Sequence, residues 1–355
     1  MDNKKWNVGW GVTSACNMAC EFCYSKMVRQ RDDDRDLQKC ISFIDNNHSK
    51  INSINYGTGE NSISSNWFSL IDYIRKHYPE ITQAVTTNGY LSHQMLTHKR
   101  FFEIAANSID EVDVSLDFCN PEQHNKFRGN SNAFEWALEM LELCHEHDMK
   151  PTIVFIGTNA TLNIDNLTGL FSIAKKYSAK LRMNIFRPTR GIDDKSKEFI
   201  ASSRNIIETL RWINENHRIL ALSDPLFCSI LTENISSFDP SGNASVRILH
   251  TGDITPSTYL ISDEFRMTKI ENCDLNSVQL ENELPSDCLK CSLKNRCKGG
   301  VLDRRYLWYK DIKQRDPYCP FRKENYVPDF SVSIENDGSF SSVHDGYLPT
   351  LFFDV

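Results

Sequence analysis

The chain has 355 residues, 40% of them apolar and 25% charged, with a formal net charge of −7. That length suits one barrel of ~200 residues plus a second unit of ~100. An acidic chain without a long basic run lacks the footprint of a nucleic-acid binder. It also has no apolar run of about 18 residues to span a membrane and no basic-then-apolar signal at its start, so the expected setting is the cytoplasm. Twelve cysteines in a reducing compartment point to metal and not to disulfides.

Short apolar segments alternate with longer stretches of helical period. Strands are expected at 6–12, 51–57, 81–86, 109–116, 151–157 and 180–186. Helices are expected between them, roughly at 33–48, 62–77, 91–106, 132–148, 164–177 and 194–217. Six βα units in series imply parallel strands with right-handed crossovers. The expected fold is therefore α/β, a partial (βα)6 TIM-like barrel over residues 1–217, with functional residues at the carboxyl ends of its strands. Beyond residue 217 the alternation stops. Residues 218–330, rich in turns and cysteines, read as a second, metal-braced domain. Residues 331–355 form a tail with strand-like alternation near Phe330–Ile334 and a turn signal at Asp337-Gly338, expected to pair as a hairpin or cap the barrel.

Cys16, Cys20 and Cys23 follow the first strand directly, at spacing Cys-x3-Cys-x2-Cys. Three thiolates can hold three irons of a [4Fe–4S] cube and leave the fourth open to an exogenous ligand. Buried thiols or half of a zinc site are the competing readings. A zinc knuckle usually takes paired Cys-x2-Cys units and a nearby fourth ligand, and no His or Cys lies within the ten residues after Cys23. With Phe22 before its third cysteine, the trio resembles the cluster motif of the radical S-adenosylmethionine (SAM) enzymes. In that family SAM chelates the open iron. One electron then cleaves SAM to methionine and a 5′-deoxyadenosyl radical, which takes hydrogen from substrate.

Later strand ends resemble the same family in order. Tyr56-Gly57-Thr58-Gly59-Glu60-Asn61 is similar to its Gly-Gly-Glu-Pro turn at the SAM amino group, with Thr58 in place of the first Gly and Asn61 in place of Pro. Thr86-Thr87-Asn88-Gly89 is similar to its Thr-Asn-Gly turn. Ser115-Leu116-Asp117 is similar to its ribose-side segment, and His124 with Arg128-Gly129 resembles its His-x3-Arg-Gly. An Arg there can pair with the SAM carboxylate through its planar fork. The resemblance implies a SAM pocket of Phe22, Tyr24, Gly57, Thr58, Gly59, Glu60, Asn88, Ser115, Asp117, Arg128 and Asn184.

A second group, Cys288-x2-Cys291-x5-Cys297 with Cys319 beyond, suits zinc or a second cube. It resembles the SPASM domain of peptide-modifying radical SAM enzymes, which often carries two auxiliary clusters. Val301 and Ser257 stand in two of that domain's cysteine slots, so the resemblance implies that the first auxiliary cluster is lost. The second would be kept on Cys288, Cys291, Cys297 and Cys319. A cube with four protein thiolates conducts electrons or braces the domain. Cys228 and Cys273 read as buried thiols, Cys40, Cys119 and Cys144 as helix or loop residues, and Cys119 as lying near the pocket mouth.

SPASM-bearing enzymes mostly modify ribosomally made peptides. The expected partners are thus a precursor peptide and a reductant such as flavodoxin or ferredoxin. Only fifteen residues precede Cys16, so the family's N-terminal peptide-recognition domain is expected to be absent; either a separate protein delivers the peptide, or the acidic surface and tail bind it directly. Asn7-Val8-Gly9-Trp10-Gly11 and Phe186-Arg187-Pro188-Thr189-Arg190-Gly191 look similar to maturases of the splicease type, which excise tyramine. Thr258 stands where the domain's common catalytic Asp would be, which argues against formylglycine formation. A small-molecule dehydrogenase or epimerase is the alternative, and no acid–base pair is set by spacing.

Overall fold

The computed structural model describes residues 5–26, 36–280, 282–322, 324–335 and 340–355. All six expected strands are present: β1 (Trp6–Trp10), β2 (Ile51–Tyr56), β3 (Thr82–Thr87), β4 (Glu111–Ser115), β5 (Lys150–Gly157) and β6 (Lys180–Ile185). They run parallel in chain order. Among the described residues twelve α-helices accompany them: α1 (Leu37–Asn47), α2 (Ser65–His77), α3 (Tyr90–Thr97), α4 (Lys99–Ser108), α5 (Pro121–Arg128), α6 (Ala133–Glu146), α7 (Ile164–Lys176), α8 (Asp194–Phe199), α9 (Ser203–Asn216), α10 (Pro225–Leu231), α11 (Lys294–Cys297) and α12 (Leu302–Tyr309). Local chemistry sets their starts. Asp36, Ser64, Asn120, Asn163 and Ser202 each accept a hydrogen bond from a first-turn backbone N–H, which satisfies donors the helix itself cannot.

Two expected helices are broken. The segment at 91–106 divides into α3 and α4 at His98, whose extended backbone ends one and begins the other. The segment at 194–217 divides into α8 and α9 across extended Ile200 and Ser202. Helix α5 was not expected, although Pro121 in its first turn and the Asn120 cap both mark a helix start. Residues 33–35 of the first expected helix and the Asp337-Gly338 turn lie outside the described residues.

The sheet does not stop at residue 217. Strands β7 (Arg218–Leu222), β8 (Ser245–Ile248), β9 (Asp253–Thr255), β10 (Thr268–Lys269) and β11 (Leu351–Asp354) extend it to the order β10-β9-β8-β1-β2-β3-β4-β5-β6-β11-β7. Strand β8 joins β1 in parallel. The tail strand β11 slots antiparallel between β6 and β7. Among the described residues the tail pairs with strands of the barrel and not with itself, and Ile334 bridges to Ile219.

Before β11, the tail runs inside the barrel. Ser342 and the Val343 N–H both donate to Glu111 at the start of β4, each at 3.0–3.1 Å. His344 Nδ1 lies 2.8 Å from Asp113 one inward position later. Asn7 of β1 donates to the Gly346 carbonyl at 2.8 Å, and Tyr347 lies over Gly9. A Cβ on Gly9 would sit 1.7 Å from the Tyr347 hydroxyl, so only glycine admits the tail there. Thr350 then donates to Asn184 at 2.8 Å as the chain leaves the lumen for β11.

Phe353 of β11 is fully buried in the main apolar core. Phe353→Ala should lower the unfolding free energy by about 3–5 kcal/mol, measured by denaturant melts; a loss under about 1 kcal/mol would place the tail strand outside the core. Glu111 has its pKa raised to about 7, first by burial and then by the Asp113 charge, against hydrogen bonds from Val343 and Ser342. A carboxyl raised on folding holds its proton longer in the native state, so its contribution is complete below the unfolded value of 4.5 and lost as pH rises to about 7. Unfolding free energies measured across that window should fall less steeply in Glu111→Gln than in the unaltered chain, and equal slopes would contradict this.

Candidate active site

Residues 11–26 form the loop that follows β1, and β2's own loop clamps it. The Glu60 N–H donates to the Ala15 carbonyl at 2.8 Å. Gly59 has φ +61°, and a Cβ there would meet the Ala15 carbonyl oxygen at 2.2 Å, so the contact requires glycine. Thr58 beside it has φ +120°, a backbone region costly for a β-branched residue, and such strain clusters at functional sites. Asn88 at the end of β3 holds the cysteine loop from the other side, donating to Asn17 at 2.8 Å and lying 3.7 Å from Cys16 Sγ. The Cys20 thiol donates to the Arg128 carbonyl at 3.3 Å. Phe22 stacks on Phe127 at 4.2 Å, with the Arg128 guanidinium 5.0 Å from its ring centre.

Cys16, Cys20 and Cys23 line one cavity with Phe22, Tyr24, Gly57, Thr58, Gly59, Asn88, Ser115, Arg128 and Asn184. Sequence reasoning had grouped all of these. The space between the walls, with the open solvent at the mouth included, is about 1050 Å³. Two expected pocket residues stand behind the wall. Glu60 is fully buried and accepts from Thr87, Ser62 and the Asn88 N–H; burial raises its pKa, and these bonds offset only part of that rise. Asp117 is fully buried too, receiving Arg128 Nε at 2.6 Å and the Ile156 N–H at 2.9 Å. Both carboxylates hold the residues that line the pocket and do not line it themselves.

Sequence reasoning missed a further set on the same walls: Asn55, Thr86, Arg182, Arg247, Tyr259, His344 and Tyr347. Burial raises the pKa of Asp113, but Arg182 and His344 outweigh it and hold the carboxyl below its usual value. Arg187 is buried, with Nε 2.8 Å from Asp303. Arg190 is bound instead to the Glu21 carbonyl at 2.7 Å, at the rim of the cysteine loop. Cys119 is not in the cavity. It packs on Gly169 of α7, and burial raises its pKa. Cys40, Cys144 and Cys228 are buried.

The second cysteine group also converges. Cys288, Cys291, Cys297 and Cys319 line one smaller cavity of about 350 Å³ of open space, beside Arg315 and Asp316. Burial raises the pKa of Cys288, Cys297 and Cys319, and the neighbouring cysteines raise it further. Four such thiolates call for a cation to hold them. Behind them Arg304, fully buried, lies within 2.6 Å of both Asp224 and Asp316. The two slots that lack cysteine are filled by polar contacts. The Ser257 hydroxyl donates to Asp303 at 2.9 Å, and the Val301 N–H donates to Asp316 at 3.0 Å. No three His, Cys, Asp or Glu side chains among the described residues close to the spacing of a single ion; a four-iron cube, held at its corner irons, takes a wider set.

Residues 10–171 match the sequence profile of the Radical SAM superfamily. The mycofactocin maturase MftC of Mycolicibacterium smegmatis is 25% identical over 331 residues, covering 87% of this chain and 81% of that protein. An AdoMet-dependent heme synthase of Methanosarcina barkeri is 24% identical over 357 residues, covering 91% and 98%. Among solved structures, Streptococcus suis SuiB bound to S-adenosylmethionine superposes with a TM-score of 0.70 at 16% identity, over 89% of this chain and 77% of that one. The anSMEcpe protein with bound AdoMet gives 0.70 at 16% identity, over 88% and 93%. Profile, strand order and cysteine loop agree: residues 10–171 form a Radical SAM domain, a family that implies a SAM-binding [4Fe–4S] cluster.

Proposed function

We propose that this radical SAM enzyme modifies a precursor peptide, by excision or by C–H crosslinking. One observation carries the reading: a single cavity is lined both by the three N-terminal cysteines and by side chains left over for a second molecule. Its apolar walls include Val154, Ile156, Ile185, Phe186 and Leu348. Supporting it, MftC is named a maturase, and SuiB was solved with precursor peptide SuiA at a TM-score of 0.68. The heme synthase relatives favour a second reading, a small-molecule substrate.

Cys16, Cys20 and Cys23 would hold the cluster, which with SAM supplies the 5′-deoxyadenosyl radical on reduction. The strand-end turn Gly57-Thr58-Gly59 offers backbone groups to the SAM amino group, and Asn88, Ser115 and Asn184 line the same wall. Arg128 would meet the SAM carboxylate with its outer nitrogens, since Asp117 already occupies its Nε. Glu60 and Asp117 position these groups from behind. Cys288, Cys291, Cys297 and Cys319 would hold one auxiliary [4Fe–4S] cluster. The polar contacts of Ser257 and Val301 favour loss of the other, so the domain from 218 to 330 carries a single cube.

Two outcomes follow. Anaerobically reconstituted protein should contain about eight irons per chain, and a variant with Cys288, Cys291, Cys297 and Cys319 all changed to Ala about four; about twelve would refute the loss of a cluster. With dithionite and SAM it should release 5′-deoxyadenosine, and co-expression with peptides encoded beside its gene should change one peptide's mass by a tyramine or by two hydrogens. Release of 5′-deoxyadenosine with every peptide unchanged would favour the small-molecule reading.

A further inference from the structure

Four arginines line the cavity: Arg128, Arg182, Arg187 and Arg247. Three are answered by carboxylates of the chain itself. Arg128 pairs with Asp117 at 2.6 Å, Arg182 with Asp113 at 2.8 Å and Arg187 with Asp303 at 2.8 Å. Arg247, on β8, is 1% exposed and has hydroxyls in place of a carboxylate. Its Nη2 meets Thr58 Oγ1 and its Nη1 lies 3.4 Å from the Tyr347 hydroxyl. Its Nε has no hydrogen-bond partner among the described residues. The groups that act on its charge most strongly are Tyr24, Tyr347 and Tyr259.

A buried guanidinium with no counter-ion is costly, whereas pairing it returns much of that cost. Its planar fork fits a carboxylate through two parallel bonds. Gly9 and Gly11 leave room for Tyr347 and for Thr58, the two hydroxyl side chains that meet the Arg247 guanidinium. The tail contributes His344, Tyr347 and Leu348 to the wall of the same cavity.

We propose that Arg247, framed by Tyr24, Tyr259 and Tyr347, is the subsite for the terminal carboxylate of a peptide substrate. The inference rests on the reading of this cavity as the active site, and it narrows the substrate to a chain whose C-terminus carries the reacting residue or its neighbour. Arg247 is a substrate-binding residue, and the SAM carboxylate belongs to Arg128.

The test uses the reconstituted, SAM-saturated enzyme and two probes, a pool of random N-acetylated hexapeptides with free C-termini and the same pool amidated. Peptides retained after anaerobic ultrafiltration are counted by mass spectrometry. The enzyme should retain the acids at least about tenfold better than the amides. Arg247→Gln should bring that ratio to about one, and Arg247→Lys should keep part of it. The ratio of affinities for SAM and decarboxylated SAM should be the same in the unaltered enzyme and in Arg247→Gln, as for two uncoupled groups. Equal or no retention of acids and amides by the unaltered enzyme overturns the proposal, whatever the variants do. So does a change in the SAM ratio without a change in the peptide ratio, which would hand Arg247 to the SAM carboxylate. An enzyme that releases no 5′-deoxyadenosine with dithionite fails the broader reading; one that releases it but ignores the terminal carboxyl fails only this one.

Discussion

A barrel of six parallel strands cannot close on itself, and its two open edges and hollow lumen have to be satisfied from elsewhere. Here the later part of the chain does all three. Strand β8 pairs β1, and the tail strand β11 pairs β6. The segment before β11 threads the lumen beside Glu111, Asp113 and Gly9. The site depends on this arrangement. It fixes the floor of the cavity, brings His344 and Tyr347 to its wall, and sets Arg247 opposite the turn after β2.

The lumen is built from charge as much as from apolar packing. Asn55, Thr86, Asp113 and Arg182 form a hydrogen-bonded series across β2, β3, β4 and β6. In a low-dielectric interior such a series is stable only when every member is paired. It therefore holds the strand ends rigidly in register, and the loops they carry converge on the cysteine trio. Glu60 and Asp117 extend the principle. Each is a buried carboxylate whose acceptor capacity is spent on backbone N–H groups and on neighbours that face the cavity.

Much of this was legible in the sequence. Each βα unit carries its own period, and all but the third open their helix on a side-chain cap, so all six strands appear close to their expected limits. The turns Tyr56–Asn61, Thr86–Gly89 and Ser115–Asp117 converge because a parallel sheet puts all its carboxyl ends on one side. What stayed hidden is non-local. Strands β7 to β11 run from two to five residues, too short for a periodic signal. Arg247 draws its neighbours from Thr58 and Tyr347, 189 and 100 positions away, and nothing near residue 247 announces either. Glu60 and Asp117 belong to the expected turns, but their place behind the wall follows from packing that spacing does not encode.

The account rests on an iron left open for SAM by three cysteines at the head of the barrel. The most direct measurement is the electron paramagnetic resonance spectrum, with and without SAM, of the reduced, anaerobically reconstituted variant in which Cys288, Cys291, Cys297 and Cys319 are all Ala, whose remaining cluster is the N-terminal one. The account predicts a cluster signal whose g-values shift on adding SAM. A spectrum that SAM leaves unchanged, or the absence of a cluster signal with zinc bound to Cys16, Cys20 and Cys23, would contradict it.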